Sequence, residues 1–256
     1  MADNNKGAKI TLYWLEKSRS HRILWLLEEL GLTYILKTFK RHPETMLAPP
    51  ELKTIHPLGK SPVLTIEAPG APKPLVLAES GVIVEYLCDH FGGDKLIPAR
   101  YPEGKEGMIA AESDEWMRYR YYMHYAEGSL MPFLVMQLVM DTLKDAPVPF
   151  FIKPIPRIVA YKVEQMFLHR NVFANFDFLE EQLKTAPGGG PFLCGSQVTA
   201  ADIMMSFPVI AASMRLPFGE KYPMLAAYVE KLQEQDGYKR AVAKVEEVDG
   251  TFSASL

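Results

Sequence analysis

Along the first ninety residues the apolar positions change period several times. Ile10, Leu12 and Trp14 alternate with other positions, the period-two pattern of a short strand with one buried face. Ile23, Leu26, Leu27 and Leu30 then recur at helical spacing, between Ser20, which is placed to cap a helix, and Gly31, which is placed to end it. Residues 33–39 read as a second strand. A loop with Pro43, Pro49 and Pro50 leads through a short helical piece to His56-Pro57, after which residues 63–66 and 75–77 pattern as a hairpin across Pro69-Gly70-Ala71-Pro72. Ser80 heads a helix with Ile83, Leu87 and Phe91 on one face and Gly92 as its stop. The order is βαβαββα on a small mixed sheet.

Beyond Gly92-Gly93 the strand pattern fades and helical spacing takes over. The expected organisation is therefore an α/β domain over residues 9–92 and an all-α helical bundle over residues 103–256. One helix is expected from near Glu103, with Trp116, Tyr119, Tyr122 and Met123 inward and a bend at Pro132, where proline removes a hydrogen bond and crowds the preceding turn. A second is expected over residues 158–184, ahead of Gly188-Gly189-Gly190. Thr199-Ala200-Ala201-Asp202 reads as a capping box with aspartate in the returning position, a folding signal and not a chemical one.

Composition narrows the function classes. With 28 basic against 31 acidic residues among 256 and a net charge of -3, the chain lacks the basic face that a nucleic-acid partner demands. Cys88 and Cys194 are the only cysteines and stand apart from each other and from any Cys/His cluster, so neither a metal site nor a redox dithiol is expected, and a reducing compartment fits. The longest apolar stretch, residues 130–140, is broken by Pro132 and Gln137 and is too short to span a membrane. The first seven residues are polar, and the tail Ser253-Ala254-Ser255-Leu256 resembles a peroxisomal address without its basic residue.

The chemistry concentrates in Leu58-Gly59-Lys60-Ser61-Pro62-Val63-Leu64 and Ala78-Glu79-Ser80-Gly81. Pro62 opens a strand yet has no N–H for the ladder, and an X-Pro bond is the kind that adopts cis at low cost. Such a turn leaves the Ser61 backbone free to hold an extended peptide by strand-like hydrogen bonds. The Ser80 helix brings the free N–H groups of its first turn to the same region. Together these features suit a small anionic peptide.

The segments that carry these features, with 14–22 (Trp14 to Arg22), Pro49-Pro50-Glu51-Leu52, Ile55-His56-Pro57 and Glu127-Gly128-Ser129-Leu130, resemble the cytosolic glutathione transferases over nearly the whole chain, in particular a fungal branch that includes a yeast enzyme associated with the endoplasmic reticulum. The resemblance implies a thioredoxin-like first domain, a helical second domain, a homodimer, glutathione as co-substrate and a hydrophobic electrophile between the domains, with glutathione-dependent peroxidase activity as a companion. It implies that Ser61 pairs its backbone with the cysteinyl part beside a structural cis-proline, Pro62. Glu79 and Ser80 then hold the γ-glutamyl end, and Lys60 is placed for the glycyl carboxylate. A carboxylate can accept from an ammonium, and a hydroxyl at a helix start can donate to a carboxylate, so the residue types fit those roles. It further implies a cytoplasmic protein, with peripheral association at the endoplasmic reticulum left open.

Thiol activation has two readings. A thiol of pKa about 8.5 is only a few per cent ionised at neutral pH, so a hydroxyl donor near a helix start must favour the anion. Ser18 stands where serine-type enzymes place that hydroxyl; Tyr13 is the rival, although alternation with Leu12 and Trp14 marks it as structural. Arg19, His21 and Arg22 either touch the peptide, raise the local positive potential or are solvated helix-end charges, the last being the reading for His21. Tyr121 and Tyr125, one turn apart, are the expected lining of the electrophile site, against the alternative that they pack on neighbouring helices. Two other functional classes stay open: a non-catalytic carrier or regulatory protein on the same fold, and a thiol oxidoreductase acting on glutathionyl disulfides.

Overall fold

The computed structural model describes residues 4–215 and 218–252; the tail Ser253-Ala254-Ser255-Leu256 lies outside the described residues, as do the first three. Strand β1 (Lys9–Leu15) is the second of four and lies parallel to β2 (Tyr34–Phe39) on one side and antiparallel to β3 (Val63–Glu67) on the other. β4 (Leu75–Ala78) completes the order β2-β1-β3-β4. Opposed pairs such as Ile10 with Ile66 and Leu12 with Leu64 set the register and are buried to the last few per cent. Two helices cover this sheet, α1 (Ser20–Glu29) and α2 (Ser80–His90). The short piece expected before Pro57 is a single 3-10 turn at Pro50–Thr54.

Both helices begin one residue earlier than a serine cap would require. Arg19 holds the cap position of α1 and Glu79 that of α2, so Ser20 and Ser80 are first helical residues and neither caps with its side chain. The reason lies in the neighbours: the Ser20 hydroxyl is drawn inward by other hydroxyls, and Glu79 adopts φ 69° and ψ 122°, which lets the chain leave β4 and enter α2 directly.

The helical part begins with α3 (Asp114–Tyr125), eleven residues later than the expected start near Glu103. Gly104, Gly107 and Ala110 take positive φ and break the spiral; Ser113 then caps by accepting the Trp116 N–H at 3.2 Å. A π-helical turn over Ala126–Leu130 joins α3 to α4 (Met131–Lys144), and Pro132 follows that turn directly, as the second residue of α4. The second long helix is α5 (Pro154–Val163), a π turn at Glu164–Leu168, and α6 (His169–Lys184), with Pro154 starting it upstream of the expected residue 158.

Helix α7 (Ala200–Ser213) is buried almost throughout; α9 (Pro223–Glu234) packs on it, α8 (Phe218–Lys221) on α9, and α10 (Asp236–Asp249) on α1 and α9. The capping box is present: Thr199 Oγ1 accepts from the Asp202 N–H, and Asp202 accepts the Thr199 N–H at 2.8 Å. The same carboxylate takes the Tyr228 hydroxyl at 2.8 Å and the Leu193 N–H at 3.2 Å, tying α7 to α9 and to the preceding loop. Helix α10 lies so close to α1 that a Cβ on Gly237 would meet the Glu29 carboxylate at 2.2 Å and the Trp25 ring at 3.0 Å.

Candidate active site

Where the starts of α1 and α2 face α3, an open cleft of about 520 Å³ separates the sheet domain from the helices. Its sheet-side wall is Lys60, Ser61, Pro62, Glu79 and Ser80. The Ser61-Pro62 peptide is cis, and among the described residues the Ser61 N–H and C=O have no partner. The Glu79 carboxylate and the Lys60 ammonium are exposed and likewise take no ion-pair partner among the described residues. Ser80 is buried, lines the cleft and has no protein hydrogen-bond partner for its hydroxyl among the described residues. The structure thus brings four sequence-expected residues together, with the Lys60 ammonium, the Ser61 peptide unit, the Glu79 carboxylate and the Ser80 hydroxyl unspent among the described residues.

Ser18 is placed otherwise. It does not line the cleft, and its hydroxyl donates inward to the Leu15 carbonyl at 2.7 Å. Its oxygen receives the Ser20 N–H at 3.2 Å and lies 2.7 Å from the Ser20 hydroxyl. Ser20 Oγ in turn accepts the Leu15 N–H and sits 2.5 Å from Ser61 Oγ, which donates to the Tyr13 carbonyl at 2.8 Å. Three hydroxyls therefore run in a row from the loop before α1 to the edge of the cleft. Tyr13 contributes only its carbonyl to this row; its ring packs 6.4 Å from Phe39, with Lys37 Nζ over its face.

Across the cleft, Arg19 and Glu127 meet. Arg19 Nε reaches both carboxylate oxygens, at 2.9 and 3.0 Å, and Arg22 Nη2 reaches the same carboxylate at 2.6 Å. The Arg22 side chain has no solvent exposure, donates also to the Met204 carbonyl and lies over the Phe207 ring. Burial pushes the Glu127 carboxyl up, but the two guanidinium groups outweigh it and hold it below the usual range. Burial lowers Arg22, with Glu127 opposing the effect. The π turn that begins at Ala126 is what presents Glu127 here, and π turns of this kind recur at functional sites. Two cations against one carboxylate leave this wall with a positive surplus.

His21 points away from the cleft into α10, edge-on to Tyr238 at 5.0 Å and 4.2 Å from the Phe252 ring. Neither ring nitrogen has a partner, and burial pushes its pKa down to about 3. It is a neutral core histidine.

The expected electrophile pair differs from what is found. Tyr121 and Tyr125 stack on each other at 5.4 Å and pack against Phe178 of α6, and the Tyr125 hydroxyl donates to Asn175. They occupy the face of α3 turned from the cleft, whereas Met123 and His124 of α3 and Glu127 of the π turn line it, together with Met204 of α7. Arg120 spans to Glu85 of α2 at 2.9 Å. The signal that would have found this face was the i, i+3, i+4, i+7 spacing of Arg120, Met123, His124 and Glu127, which the aromatic stripe beside it outshone. Phe150 and Phe151 are 84% and 69% exposed and do not reach the cleft.

Comparison with known proteins gives the family. Residues 18–90 match the family model for the glutathione S-transferase N-terminal domain and residues 167–231 that for the C-terminal domain. Glutathione S-transferase 1 of Saccharomyces cerevisiae is 33% identical over 244 residues, covering 95% of this chain and 98% of its own. The chain belongs to the glutathione S-transferase family. A solved glutathione S-transferase from Actinobacillus pleuropneumoniae superposes with a TM-score of 0.68 at 29% identity, covering 96% of this chain and 95% of that one. A glutathione transferase homologue from Lodderomyces elongisporus, solved with two glutathione molecules per subunit, shares the fold at a TM-score of 0.68 and 18% identity, over 91% and 97% of the two chains. In glutathione S-transferase terms, the cleft lies between the N-terminal and C-terminal domains of the family. Among the described residues no group of three His, Cys, Asp or Glu side chains is placed to hold a metal ion, and no helix is long and apolar enough to cross a membrane.

Proposed function

We propose that this transferase binds glutathione along the wall of Lys60, Ser61, Glu79 and Ser80 and joins its sulfur to hydrophobic electrophiles held against Met123, His124 and Met204. The observation that carries this reading is the set of unspent polar groups in one cleft: a free ammonium, a free carboxylate, an unpaired peptide unit and an unpartnered hydroxyl at a helix start. They match, in order, the glycyl carboxylate, the γ-glutamyl ammonium, the cysteinyl backbone and the γ-glutamyl carboxylate. In the reaction the thiol first loses its proton to solvent through the open cleft. The sulfur then forms a bond to carbon as a leaving group departs with the bonding pair, or adds to a polarised double bond that takes up a proton. The positive surplus of Arg19 and Arg22 over Glu127 and the start of α1 both favour the anion.

The same anion would reduce organic hydroperoxides, two glutathiones giving up two electrons and two protons to yield a disulfide, an alcohol and water. A homodimer in the cytosol, with the exposed Phe150 and Phe151 available to a membrane surface, completes the reading. The test is to follow thiolate absorbance near 240 nm while titrating purified protein with glutathione across pH, alongside turnover of 1-chloro-2,4-dinitrobenzene and cumene hydroperoxide. A thiolate transition well below the free thiol's pKa, with conjugation, supports the reading; tight binding without ionisation or turnover favours a carrier instead.

A further inference from the structure

The row Ser18, Ser20, Ser61 has four contacts that each need a hydroxyl proton: Ser18 to the Leu15 carbonyl, Ser18 to Ser20, Ser20 to Ser61, and Ser61 to the Tyr13 carbonyl. Three hydroxyls carry three protons, since each serine has one donor. One contact is therefore always a bare approach of two oxygens, and the row has no single best arrangement. Ser18 and Ser20 are buried, the second completely, and neither lines the cleft; Ser61 is half-buried and does. Only Ser61 can turn its proton towards a ligand, by rotating one O–H bond and moving no heavy atom.

We propose that the Ser61 hydroxyl, and not that of Ser18, donates the hydrogen bond that holds the glutathione sulfur as a thiolate, with Ser20 and Ser18 as positioning residues behind it. The inference rests on the reading of the cleft as a glutathione site. When Ser61 turns outward, Ser20 donates to Ser61, Ser18 donates to Ser20, and the three bonds point one way, from the start of α1 to the sulfur. Hydrogen bonds aligned in a chain polarise one another, and a bond to an anion is about twice as strong as one between neutral groups. The Leu15 and Tyr13 carbonyls both give up their hydroxyl contacts in exchange. Ser61 then serves twice, its peptide unit holding the cysteinyl backbone and its side chain holding the sulfur of the same residue. Sequence position alone favours Ser18, because the direction of a hydroxyl is fixed only by its packed neighbours.

The experiment measures two quantities for the wild type and for Ser61→Ala, Ser61→Thr, Ser20→Ala and Ser18→Ala: the pH midpoint of the bound thiolate by ultraviolet absorbance, and the affinity for S-methylglutathione, which has no thiol to ionise, by calorimetry. Ser61→Ala is expected to raise the midpoint by about one unit, roughly a tenfold loss of thiolate at fixed pH, while S-methylglutathione affinity stays within about threefold. Ser61→Thr restores the midpoint, and Ser20→Ala gives a smaller rise than Ser61→Ala. Ser18→Ala gives the least. An unmoved midpoint in Ser61→Ala with S-methylglutathione still bound overturns the proposal, as does a larger shift in Ser18→Ala than in Ser61→Ala. If Ser61→Ala does not fold, an unmoved midpoint in Ser20→Ala overturns it. Failure of the wild type to bind S-methylglutathione removes the glutathione reading itself, and this proposal with it.

Discussion

Arg22 Nη2 and Glu127 Oε1 lie 2.6 Å apart, a guanidinium with no solvent exposure against a carboxylate that is 34% exposed. The pair fastens α1 of the sheet domain to the π turn after α3. Removing the carboxylate leaves a buried cation without its counter-ion, which typically costs about 3 kcal/mol or more. Glu127→Ala is therefore expected to lower the free energy of unfolding, read from denaturant titration, by an amount of that order, and Glu127→Gln by less because the amide oxygen still accepts. Glu127 is held below the usual carboxylate range, so its contribution is present above the unfolded pKa of about 4.3 and is lost as pH falls through the folded value.

His21 gives a separate acid sensitivity. Its folded pKa of about 3 lies below the unfolded value, so the unfolded chain binds a proton as pH drops through about 6.5 while the folded chain stays neutral. Stability from this group is complete above pH 6.5 and falls by roughly 2 kcal/mol between pH 7 and pH 5. Denaturation curves at the two pH values, for wild type and for His21→Phe, should show that this part of the slope disappears in the variant even if the overall stability changes.

Asp202 is expected to be a folding residue with no part in turnover. Its carboxylate accepts from Thr199, Leu193 and Tyr228, and each partner left unsatisfied in the core costs about 1–3 kcal/mol. Asp202→Ala should lower the free energy of unfolding by more than about 3 kcal/mol, while kcat and KM of the protein that remains folded at low temperature match the wild type.

Glu79→Gln should act on glutathione alone. The loss of a charge-assisted bond, about 1.5–3 kcal/mol, corresponds to a rise in the KM for glutathione of roughly ten- to a hundredfold, with kcat and the KM for the electrophile little changed. Steady-state kinetics with each substrate varied separately provides the check.

Electrophile preference should follow the cleft-facing side of α3. His124→Ala and Met123→Ala are expected to change the ratio of kcat/KM between a small and a large electrophile by threefold or more, whereas Tyr121→Phe leaves that ratio unaltered because its ring packs on Tyr125 and Phe178. A shift in Tyr121→Phe equal to that in His124→Ala would reverse the assignment.

Much of this architecture was legible because local signals agreed. The alternation of Ile10, Leu12 and Trp14, the proline at the head of β3 and the Thr199–Asp202 box each depend on neighbours a few positions away. What was not legible depends on distant partners. Ser18 looked outward until the Leu15 carbonyl and the Ser20 hydroxyl were seen to hold it; Arg19 and Arg22 were ambiguous until Glu127, more than a hundred residues later, was found between them. Tyr121 and Tyr125 share one face, as their spacing requires, but which face meets the cleft is set by the packing of α3 on α6 and α7.

The backbone at Glu79 shows how stability and activity pull apart in this fold. A side chain at φ 69° with ψ 122° is a conformation that L-residues avoid, at a cost on the order of 1 kcal/mol, and glycine would relieve it. Variants selected for heat resistance alone should therefore drift towards glycine at this position and lose the carboxylate of the cleft. A library screened for both properties should keep glutamate, so the tension at one residue separates selection for folding from selection for chemistry.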